Sequence, residues 1–261
     1  MNRDPGAAEH GQGRSPHPVL DRYYPDESAR QEVVTGLFDS AAHHYDWINA
    51  CMSLGSGRRY RRIALRSAGL RPGMKLLDVG CGTGVLGIEA QAMVTPSGLV
   101  VGLDPSAGML ACAREAGLQR GTRGRGERLP YASGTFDLLT MGYALRHVAD
   151  LEIAFEEFRR VLKPGGSLLL LEITKPRSRL ATLALKAYLG HFVPNLARLR
   201  RGGSETKLLM KYYWETIEHC VAPEVILESL RAAGFQVPEK SLNRRILSKY
   251  VAAKPSSSCS S

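Results

Sequence analysis

The sequence has 261 residues, of which 44% are hydrophobic and 23% are charged, and these values exclude a fibrous or wholly disordered chain. Lys and Arg number 35 against 25 Asp and Glu, but the basic residues are scattered in short groups, which argues against nucleic-acid binding. Five separated cysteines without a CxxC pair predict neither a disulfide framework nor a zinc site. Because neither a secretory signal nor a stretch of roughly 18 apolar residues is visible, we expect a cytoplasmic protein.

The two ends of the chain differ in composition from its centre. Residues 1–28 are rich in Gly, Pro, His and charge and lack hydrophobic periodicity, so a flexible N-terminal arm is predicted there. Residues 255–261 are predicted to form a second flexible tail. The folded domain is therefore expected at 29–254.

Within this domain, short apolar runs alternate with helix-compatible segments. Hydrophobic spacing predicts helices between residues 27 and 70, with a loop at Gly55 and Gly57. Later strands are predicted at 75–79, 99–104, 136–141, 167–172, 237–242 and 247–252, and later helices at 85–93, 106–116, 151–162 and 223–233. Nearly all-apolar strands that alternate with helices are typical of a parallel sheet covered on both faces. The pattern predicts an α/β, doubly wound fold with extra helices before the first strand and between residues 176 and 220.

A glycine-rich turn, Asp78-Val79-Gly80-Cys81-Gly82-Thr83-Gly84, follows the first predicted strand. Glycines allow a ligand to touch the backbone, and amides at the start of the next helix favour an anionic or polar group. Asp104 ends the second strand, where a carboxylate in this fold accepts hydrogen bonds from both hydroxyls of a ribose. The spacing is not the G-x-G-x-x-G of dinucleotide sites, and the leading acid would repel a pyrophosphate but accept an ammonium group. S-adenosylmethionine fits this pattern, and the alternative is a glycine-rich turn without a ligand.

These motifs resemble those of class I S-adenosylmethionine-dependent methyltransferases, and more narrowly the family that C-methylates the quinone ring in ubiquinone and menaquinone biosynthesis. The resemblance runs from about Val33 to Ala253. Its carriers are FDSAAHHYDWIN (38–49), LLDVGCGTG (76–84), VVGLDPSAGML (100–110), ERLPYASGTFD (127–137), YALRHVAD (143–150) and RVLKPGGSLLLLEITKP (160–176). The glycine loop and VLKPGG indicate only the superfamily, whereas YD near 45, LR at 145–146 and LE-x-x-KP favour the quinone branch. The resemblance implies a mostly parallel, seven-stranded Rossmann-like sheet.

The resemblance also implies which residues bind the cofactor, S-adenosylmethionine. They are Asp78, Gly80, Gly82, Thr83 and Gly84 around the methionine end, Asp104 at the ribose, Met109 beside the adenine, and Arg125, Gly126, Glu127 and Gly142. The family usually has an acidic or amide residue where this chain has Arg125, and an arginine cannot accept a hydrogen bond from the adenine amino group. Either the backbone of Gly126 or the side chain of Glu127 replaces that contact, or adenine binding is weaker.

The same resemblance implies the groups that act on the acceptor. Arg146 is expected to stabilise a phenolate or carbonyl, and Tyr45 to cap the pocket and order a water or take part in proton transfer. The family usually has Asn after the arginine, whereas this chain has His147, which could be a base near neutral pH or a hydrogen-bonded loop residue. No metal is expected, because the sulfonium methyl group is already activated.

The insertion at about 177–220 is predicted to be a substrate lid. Its apolar residues could roof a substrate channel while Arg198–Arg201 meet lipid phosphates, or it could be a core-packing helix with a solvated loop. We therefore expect a small-molecule or lipid-like aromatic acceptor and no nucleic acid. Peripheral contact at the inner membrane face and a homodimer are further hypotheses.

Two other functions remain open because of the departures at Arg125, Gly126 and His147. One is a methyltransferase of secondary metabolism with an O, N or C acceptor. The other is a cofactor-binding subunit of a biosynthetic complex that has lost catalysis. Methylation of RNA is disfavoured, because the sequence has neither an N-P-P-[YF]-type tetrad after a strand nor an RNA-binding module.

Overall fold

The computed structural model describes residues 14–53, 57–176, 178–193, 195, 203–236, 243–244 and 247–256. The helices are α1 (Glu27–Ser53), α2 (Gly57–Ser67), α3 (Val85–Val94), α4 (Ala107–Glu115), α5 (Leu151–Val161), α6 (Arg179–Ala187), α7 (Gly203–His219) and α8 (Pro223–Ala232). The strands are β1 (Lys75–Val79), β2 (Leu99–Asp104), β3 (Gly121–Arg123), β4 (Phe136–Gly142), β5 (Leu162–Ile173), β6 (Asn243–Arg244) and β7 (Leu247–Ala253). A 3₁₀ turn covers Leu145–His147, and a π-helical turn covers Tyr188–Phe192.

The strands form one seven-stranded sheet in the order β3-β2-β1-β4-β5-β7-β6. Strands β1 to β5 are mutually parallel, whereas β7 runs antiparallel to both β5 and β6. The predicted α/β, doubly wound sheet is therefore confirmed. The chain proceeds from β1 toward β3 on one side and then returns to place β4 on the other side of β1. This reversal is the topological switch point, where open α/β sheets bind their ligands.

Two apolar layers cover the two faces of the sheet. Leu77 and Val79 of β1 pack in a cluster with Phe155 and Phe158 of α5, whereas Leu76 faces the opposite cluster, which α2 and α3 cover. Successive strand residues point to opposite faces, so a strand covered on both sides is apolar at almost every position. This explains the continuous apolar runs in the sequence.

The segment before α1 packs onto the domain, and the prediction of a flexible arm over 1–28 is wrong for this part. His17 and Tyr24 are buried. The carbonyl of Arg14 accepts the N–H of Leu151 at 3.0 Å, and the carbonyl of Pro16 accepts that of Val221 at 2.8 Å. Leu20 and Tyr24 also pack in a buried apolar cluster with α7, although the segment shows no hydrophobic periodicity. Residues 1–13 of the predicted arm lie outside the described residues.

Several predicted boundaries also change. Strand β5 starts at Leu162 instead of 167, because Phe136 pairs with Leu162 and Leu138 with Ser167, which leaves 163–166 as a bulge within the strand. The short strand β3 was not predicted, since its three residues, two exposed and one half-buried, give no hydrophobic pattern. The strand predicted at 237–242 lies outside the described residues. Within the described residues, no helix is long and apolar enough to cross a membrane.

Candidate active site

A pocket of about 920 Å³, partly open to solvent, lies at the carboxyl ends of β1, β2 and β4. The glycine loop after β1 forms one wall, and the start of α4 with residues 124–127 forms another. The segment from Met141 to Val148 closes a third side. Helix α1 covers the pocket, and α2 contributes Arg61. The pocket therefore occupies the switch point of the sheet.

The glycine loop comes close to the loop that follows β4. Gly80 has a φ angle of 63°, and a Cβ added there would lie 2.6 Å from the Cβ of Ala144. Only glycine tolerates both the positive φ and this contact without displacement. The loop can therefore turn sharply and leave its backbone exposed to a ligand.

Asp104, at the end of β2, faces the pocket with both carboxylate oxygens fixed. Its Oδ2 accepts the N–H of Gly82 at 2.8 Å, and its Oδ1 accepts the N–H of Ser106 at 2.9 Å. Burial raises the pKa of Asp104 to about 6, although these two backbone hydrogen bonds oppose the rise. Each oxygen retains a lone pair, so the ionised carboxylate can accept two further hydrogen bonds from a pair of hydroxyl groups.

Thr83 is a polar pocket residue with an unused hydroxyl group. Its Oγ1 is buried and has no hydrogen-bond partner among the described residues, although the side chain lines the pocket. A buried hydroxyl without a partner costs free energy, and native proteins rarely leave one unsatisfied. The orphaned atom therefore fits a polar ligand in this pocket.

Asp78 and Gly84, which were predicted to surround the methionine end, do not line the main pocket. Oδ1 of Asp78 accepts the hydroxyl of Thr140 at 2.7 Å, and its side chain borders a smaller cavity of about 260 Å³ beside the pocket. Burial raises the pKa of Asp78 to about 7. Gly84 has a φ angle of 80° and directly precedes α3, so its role is to begin that helix.

The remaining cofactor residues predicted from the sequence do line the pocket. They are Gly80, Gly82, Met109, Arg125, Gly126, Glu127 and Gly142. Oε1 of Glu127 accepts the N–H of Ala149 at 2.5 Å and so ties this wall to the loop before α5. Arg125 is exposed at the rim, which leaves the backbone of Gly126 and the carboxylate of Glu127 as the nearest acceptors for an amino group on that side.

His147 lines the pocket from the 3₁₀ turn after β4. Its Nδ1 lies 3.2 Å from the hydroxyl oxygen of Tyr212, while its buried Nε2 has no partner among the described residues. Burial holds the pKa of His147 well below 6.5, and the nearby charges of Arg146 and Arg30 lower it further. The imidazole is therefore neutral at physiological pH.

Arg146, which was predicted to stabilise the acceptor's oxygen, is not among the residues that line the pocket. Its Nη1 donates to Oε2 of Glu172 at 2.7 Å, and its guanidinium carbon lies 4.0 Å from the ring centroid of Tyr213. The side chain is completely buried. Glu172 of β5 therefore neutralises the buried guanidinium. This ion pair links the turn that carries His147 to the sheet.

Helix α1 covers the pocket, whereas the lid role predicted for 177–220 stays a prediction. Its Gln31, Val34, Thr35 and Phe38 line the pocket, and no described residue beyond Val148 does so. Helix α7 instead packs behind His147. The side chain of Tyr45, also on α1, lies outside the described residues, so its predicted role stays a prediction.

Sequence reasoning placed Tyr45 of α1 over the pocket but missed the lining residues in 31–38 of that helix, and it missed Arg61. Val34 and Phe38 are four residues apart on a helix, which places them on one face and was the available signal. Arg61 is one of several arginines in a basic stretch, and nothing in the local sequence distinguishes it. Among the described residues, no group of three or more His, Cys, Asp and Glu side chains is arranged to hold a metal ion.

The doubly wound sheet, the glycine loop at its switch point and the carboxylate that ends β2 define a class I S-adenosylmethionine-dependent methyltransferase. Two solved structures share the fold. One is a SAM-dependent methyltransferase from Aquifex aeolicus, with a TM-score of 0.55 and 20% identity over 74% of this chain and 89% of that one. The other, from Thermotoga maritima, is described as a possible histamine N-methyltransferase and has a TM-score of 0.58 and 19% identity over 84% of this chain and 98% of that one.

More narrowly, the chain belongs to the ubiE/COQ5 methyltransferase family, whose model matches residues 26–254. The ubiquinone/menaquinone biosynthesis C-methyltransferase UbiE of Stutzerimonas stutzeri is 35% identical over 217 residues, which cover 80% of this chain and 84% of that protein. The demethylmenaquinone methyltransferase of Symbiobacterium thermophilum is 34% identical over 220 residues, which cover 81% and 88%. The family resemblance seen in the sequence is therefore confirmed.

Proposed function

We propose that this enzyme transfers the methyl group of S-adenosylmethionine to a ring carbon of a quinol-type aromatic acceptor. The observation that carries the proposal is a single pocket that combines Asp104, the orphaned Thr83 hydroxyl and the neutral His147. The names of the relatives favour a ring carbon of a quinone precursor over the O- and N-acceptors of secondary metabolism. An intact pocket also disfavours a subunit that has lost catalysis.

The cofactor, when bound, supplies an activated sulfonium methyl group. Asp104 accepts the two ribose hydroxyls, and Thr83 offers a hydroxyl to the methionine end. Met109 packs beside the adenine, and Glu127 or the Gly126 carbonyl accepts its amino group. The contribution of these residues is to hold the donor and the acceptor in line, which makes catalysis mainly a matter of proximity.

His147 receives the proton that the ring carbon must lose when the new carbon–carbon bond forms. This requires the tautomer in which Nδ1–H donates to Tyr212, so that the lone pair of Nε2 faces the pocket. Arg146 and Arg30 keep the imidazole neutral before reaction. Val34 and Phe38 supply the apolar surface against which an aromatic ring packs and from which water is excluded.

Calorimetry with S-adenosylhomocysteine and turnover of a demethylated quinol test this proposal. The wild-type protein should bind the nucleoside and methylate the quinol at carbon, as mass spectrometry of the product would show. His147→Gln should reduce kcat by about 10²- to 10⁴-fold, the usual contribution of a general base, while binding remains intact. Full turnover in His147→Gln would support the alternative that His147 is a hydrogen-bonded loop residue.

A second part of the proposal is that α6 and the following turn contact an anionic lipid bilayer. Leu180, Leu183 and Phe192 are 80%, 65% and 58% exposed, which is unusual for large apolar side chains. Lys175 and Arg179 are exposed beside them, and the formal net charge is +10. This combination complements an anionic membrane surface, where a lipid-like acceptor resides. Arg198–Arg201, predicted to join this contact, lie outside the described residues.

Co-sedimentation with phosphatidylcholine vesicles, with and without phosphatidylglycerol, tests the membrane contact. The protein should pellet only with the anionic vesicles, and salt or Leu180→Ser/Leu183→Ser should release it. Ile153→Ser is the matched control, because it removes an exposed apolar residue from α5. Failure to pellet would refute the proposal. A change of oligomeric mass in the double variant would instead assign the patch to a homodimer.

A further inference from the structure

Tyr143, in the pocket wall after β4, has an unusual backbone conformation. Its φ angle is 62°, and among the described residues it is the only non-glycine residue with a positive φ. The Cβ atom makes this left-handed conformation unfavourable, above all for a bulky side chain. Such residues persist only where the surrounding structure imposes the conformation, and they cluster at active sites. The strain therefore marks Tyr143 as a residue with a function in this wall.

The neighbours of Tyr143 fix this conformation and place it beside the reacting groups. Its N–H donates to the carbonyl of Leu171 on β5 at 2.7 Å. The next residue, Ala144, lies against the glycine loop, since a Cβ added at Gly80 would be 2.6 Å from the Cβ of Ala144. The 3₁₀ turn that carries His147 begins directly after Ala144. Tyr143 therefore lies between the loop of the donor site and the proposed base.

The side chain of Tyr143 belongs to the acceptor side of the pocket. It is half-buried and lines the pocket. Tyr143 and Phe38 both pack against the apolar cluster that contains Val34. Val34 and Phe38 are the side chains proposed to pack against the aromatic ring of the acceptor. An acceptor held by these two residues is therefore within reach of Tyr143.

The hydroxyl of Tyr143 remains protonated throughout the physiological pH range. Burial raises the pKa of Tyr143 well above its usual value of 10, the ionisable hydroxyls of Tyr60 and Tyr213 and the carboxylate of Glu172 add to the rise, and the charge of Arg61 opposes it. This hydroxyl makes no hydrogen bond to another described residue. Tyr143 is therefore a neutral donor that remains available to a ligand.

We propose that the Tyr143 hydroxyl donates a hydrogen bond to a ring oxygen of the aromatic acceptor and so determines which ring carbon faces the donor. This inference rests on the proposed function, because it assumes a quinol-type acceptor in this pocket. A hydrogen bond to that oxygen favours its ionised form, in which the neighbouring ring carbon is a stronger nucleophile. Tyr143 thus orients and activates the acceptor, whereas His147 receives the proton.

The first test measures turnover of a short-chain demethylated quinol by the wild type, Tyr143→Phe and the control Tyr131→Phe. Tyr143→Phe keeps the ring and removes only the hydroxyl, and Tyr131→Phe removes a hydroxyl that lies outside the pocket. Tyr143→Phe should lower kcat about 10- to 100-fold, as expected for a lost hydrogen bond to a charged group. Its affinity for S-adenosylhomocysteine, measured by calorimetry, should stay unchanged. Tyr131→Phe should match the wild type in both measurements.

The second test asks which oxygen of the acceptor Tyr143 contacts. Two monodeoxy analogues of the quinol, each of which lacks one ring hydroxyl, would be measured as competitive inhibitors. Tyr143→Phe should weaken binding of the analogue that keeps the contacted hydroxyl by about 3- to 10-fold, as expected for a neutral hydrogen bond. Binding of the other analogue should equal that of the wild type. A residue that only maintains the shape of the site would affect both analogues alike.

The remaining outcomes overturn the inference in distinguishable ways. Unchanged kcat in Tyr143→Phe would refute the contact while the proposed function stands. Equal losses for both analogues, or weaker binding of S-adenosylhomocysteine, would assign Tyr143 a structural role. Absence of quinol methylation by the wild type would overturn the proposed function itself, and this inference with it.

Discussion

Nη1 of Arg146 donates a hydrogen bond to Oε2 of Glu172 at 2.7 Å, and both side chains are buried. Oε1 of the same Glu172 accepts the N–H of Leu145 at 2.9 Å. The carbonyl of Arg146 accepts a hydrogen bond from Nη2 of Arg30 at 3.0 Å. The turn that presents His147 is therefore fixed from β5 and from α1, and Arg146 acts as a positioning residue.

Removal of the Arg146 side chain should destabilise the whole protein. Arg146→Ala leaves Glu172 as a buried charge without its partner, so we expect the free energy of unfolding to fall by about 3–5 kcal/mol. The double variant Arg146→Met/Glu172→Leu should lose much less than the sum of the two single changes. Urea denaturation followed by fluorescence would measure this coupling. Wild-type stability together with lost turnover in Arg146→Ala would instead indicate direct contact with the acceptor.

Replacement of Thr83 should separate ligand affinity from stability. Because Oγ1 of Thr83 is buried without a partner among the described residues, Thr83→Val removes an unsatisfied group while it keeps the shape. We expect the midpoint of thermal unfolding to stay equal or rise, and the affinity for S-adenosylhomocysteine to fall about tenfold or more. Calorimetry and thermal scans on the same sample would measure both. A drop in stability with unchanged affinity would contradict a ligand contact.

The sequence predicted the sheet and the cofactor wall because both depend on local patterns. Apolar runs locate β1, β2 and β4, and a glycine loop followed by Asp104 locates the ribose side. These features are read from neighbouring residues, and the parallel topology then brings their carboxyl ends to one edge. Nine of the eleven residues predicted to bind the cofactor line the pocket.

The direction of the Arg146 side chain and the packing of residues 31–38 of α1 over the pocket could not be predicted, because both depend on contacts between distant parts of the chain. Arg146 follows β4 directly, so its sequence position is that of a pocket residue. Its direction is set by Glu172, which lies 26 residues later on β5. Likewise, one contact that holds α1 beside the pocket spans 69 residues: Oδ1 of Asp39 accepts the N–H of Gly108 at the start of α4.

The affinity for S-adenosylhomocysteine should depend on pH through Asp104. Its pKa of about 6 means that the carboxylate is ionised above this value and can then accept the ribose hydroxyls. The affinity should therefore rise between pH 5 and 7, by up to about tenfold per pH unit below the pKa, and then level off. Asp104→Asn should bind more weakly and show a smaller change over this range. An equally steep profile in Asp104→Asn would assign the dependence to another group.

Stability should fall in mild acid because of His17. Burial, together with the smaller effect of the Arg30 charge, lowers the pKa of His17 to about 4, so the folded protein keeps this histidine neutral below the usual pKa of 6.5. As the pH falls below about 6.5, the unfolded chain gains a proton at His17 that the folded protein does not. This difference lowers the free energy of unfolding by up to about 1.4 kcal/mol per pH unit until about pH 4 is reached.

Urea denaturation of the wild type and of His17→Gln between pH 7 and pH 4.5 would measure this contribution. The variant should be less stable at pH 7, because Nε2 of His17 lies 2.8 Å from Nη2 of the buried Arg30 and that contact is lost. Its stability should nevertheless fall less steeply with acid, so the two curves converge. His219→Gln, which changes an exposed histidine at the end of α7, is the control and should run parallel to the wild type. If the stability of His17→Gln fell with acid in parallel to that of the wild type, the segment before α1 would have to open and let His17 be protonated before the rest of the protein unfolds.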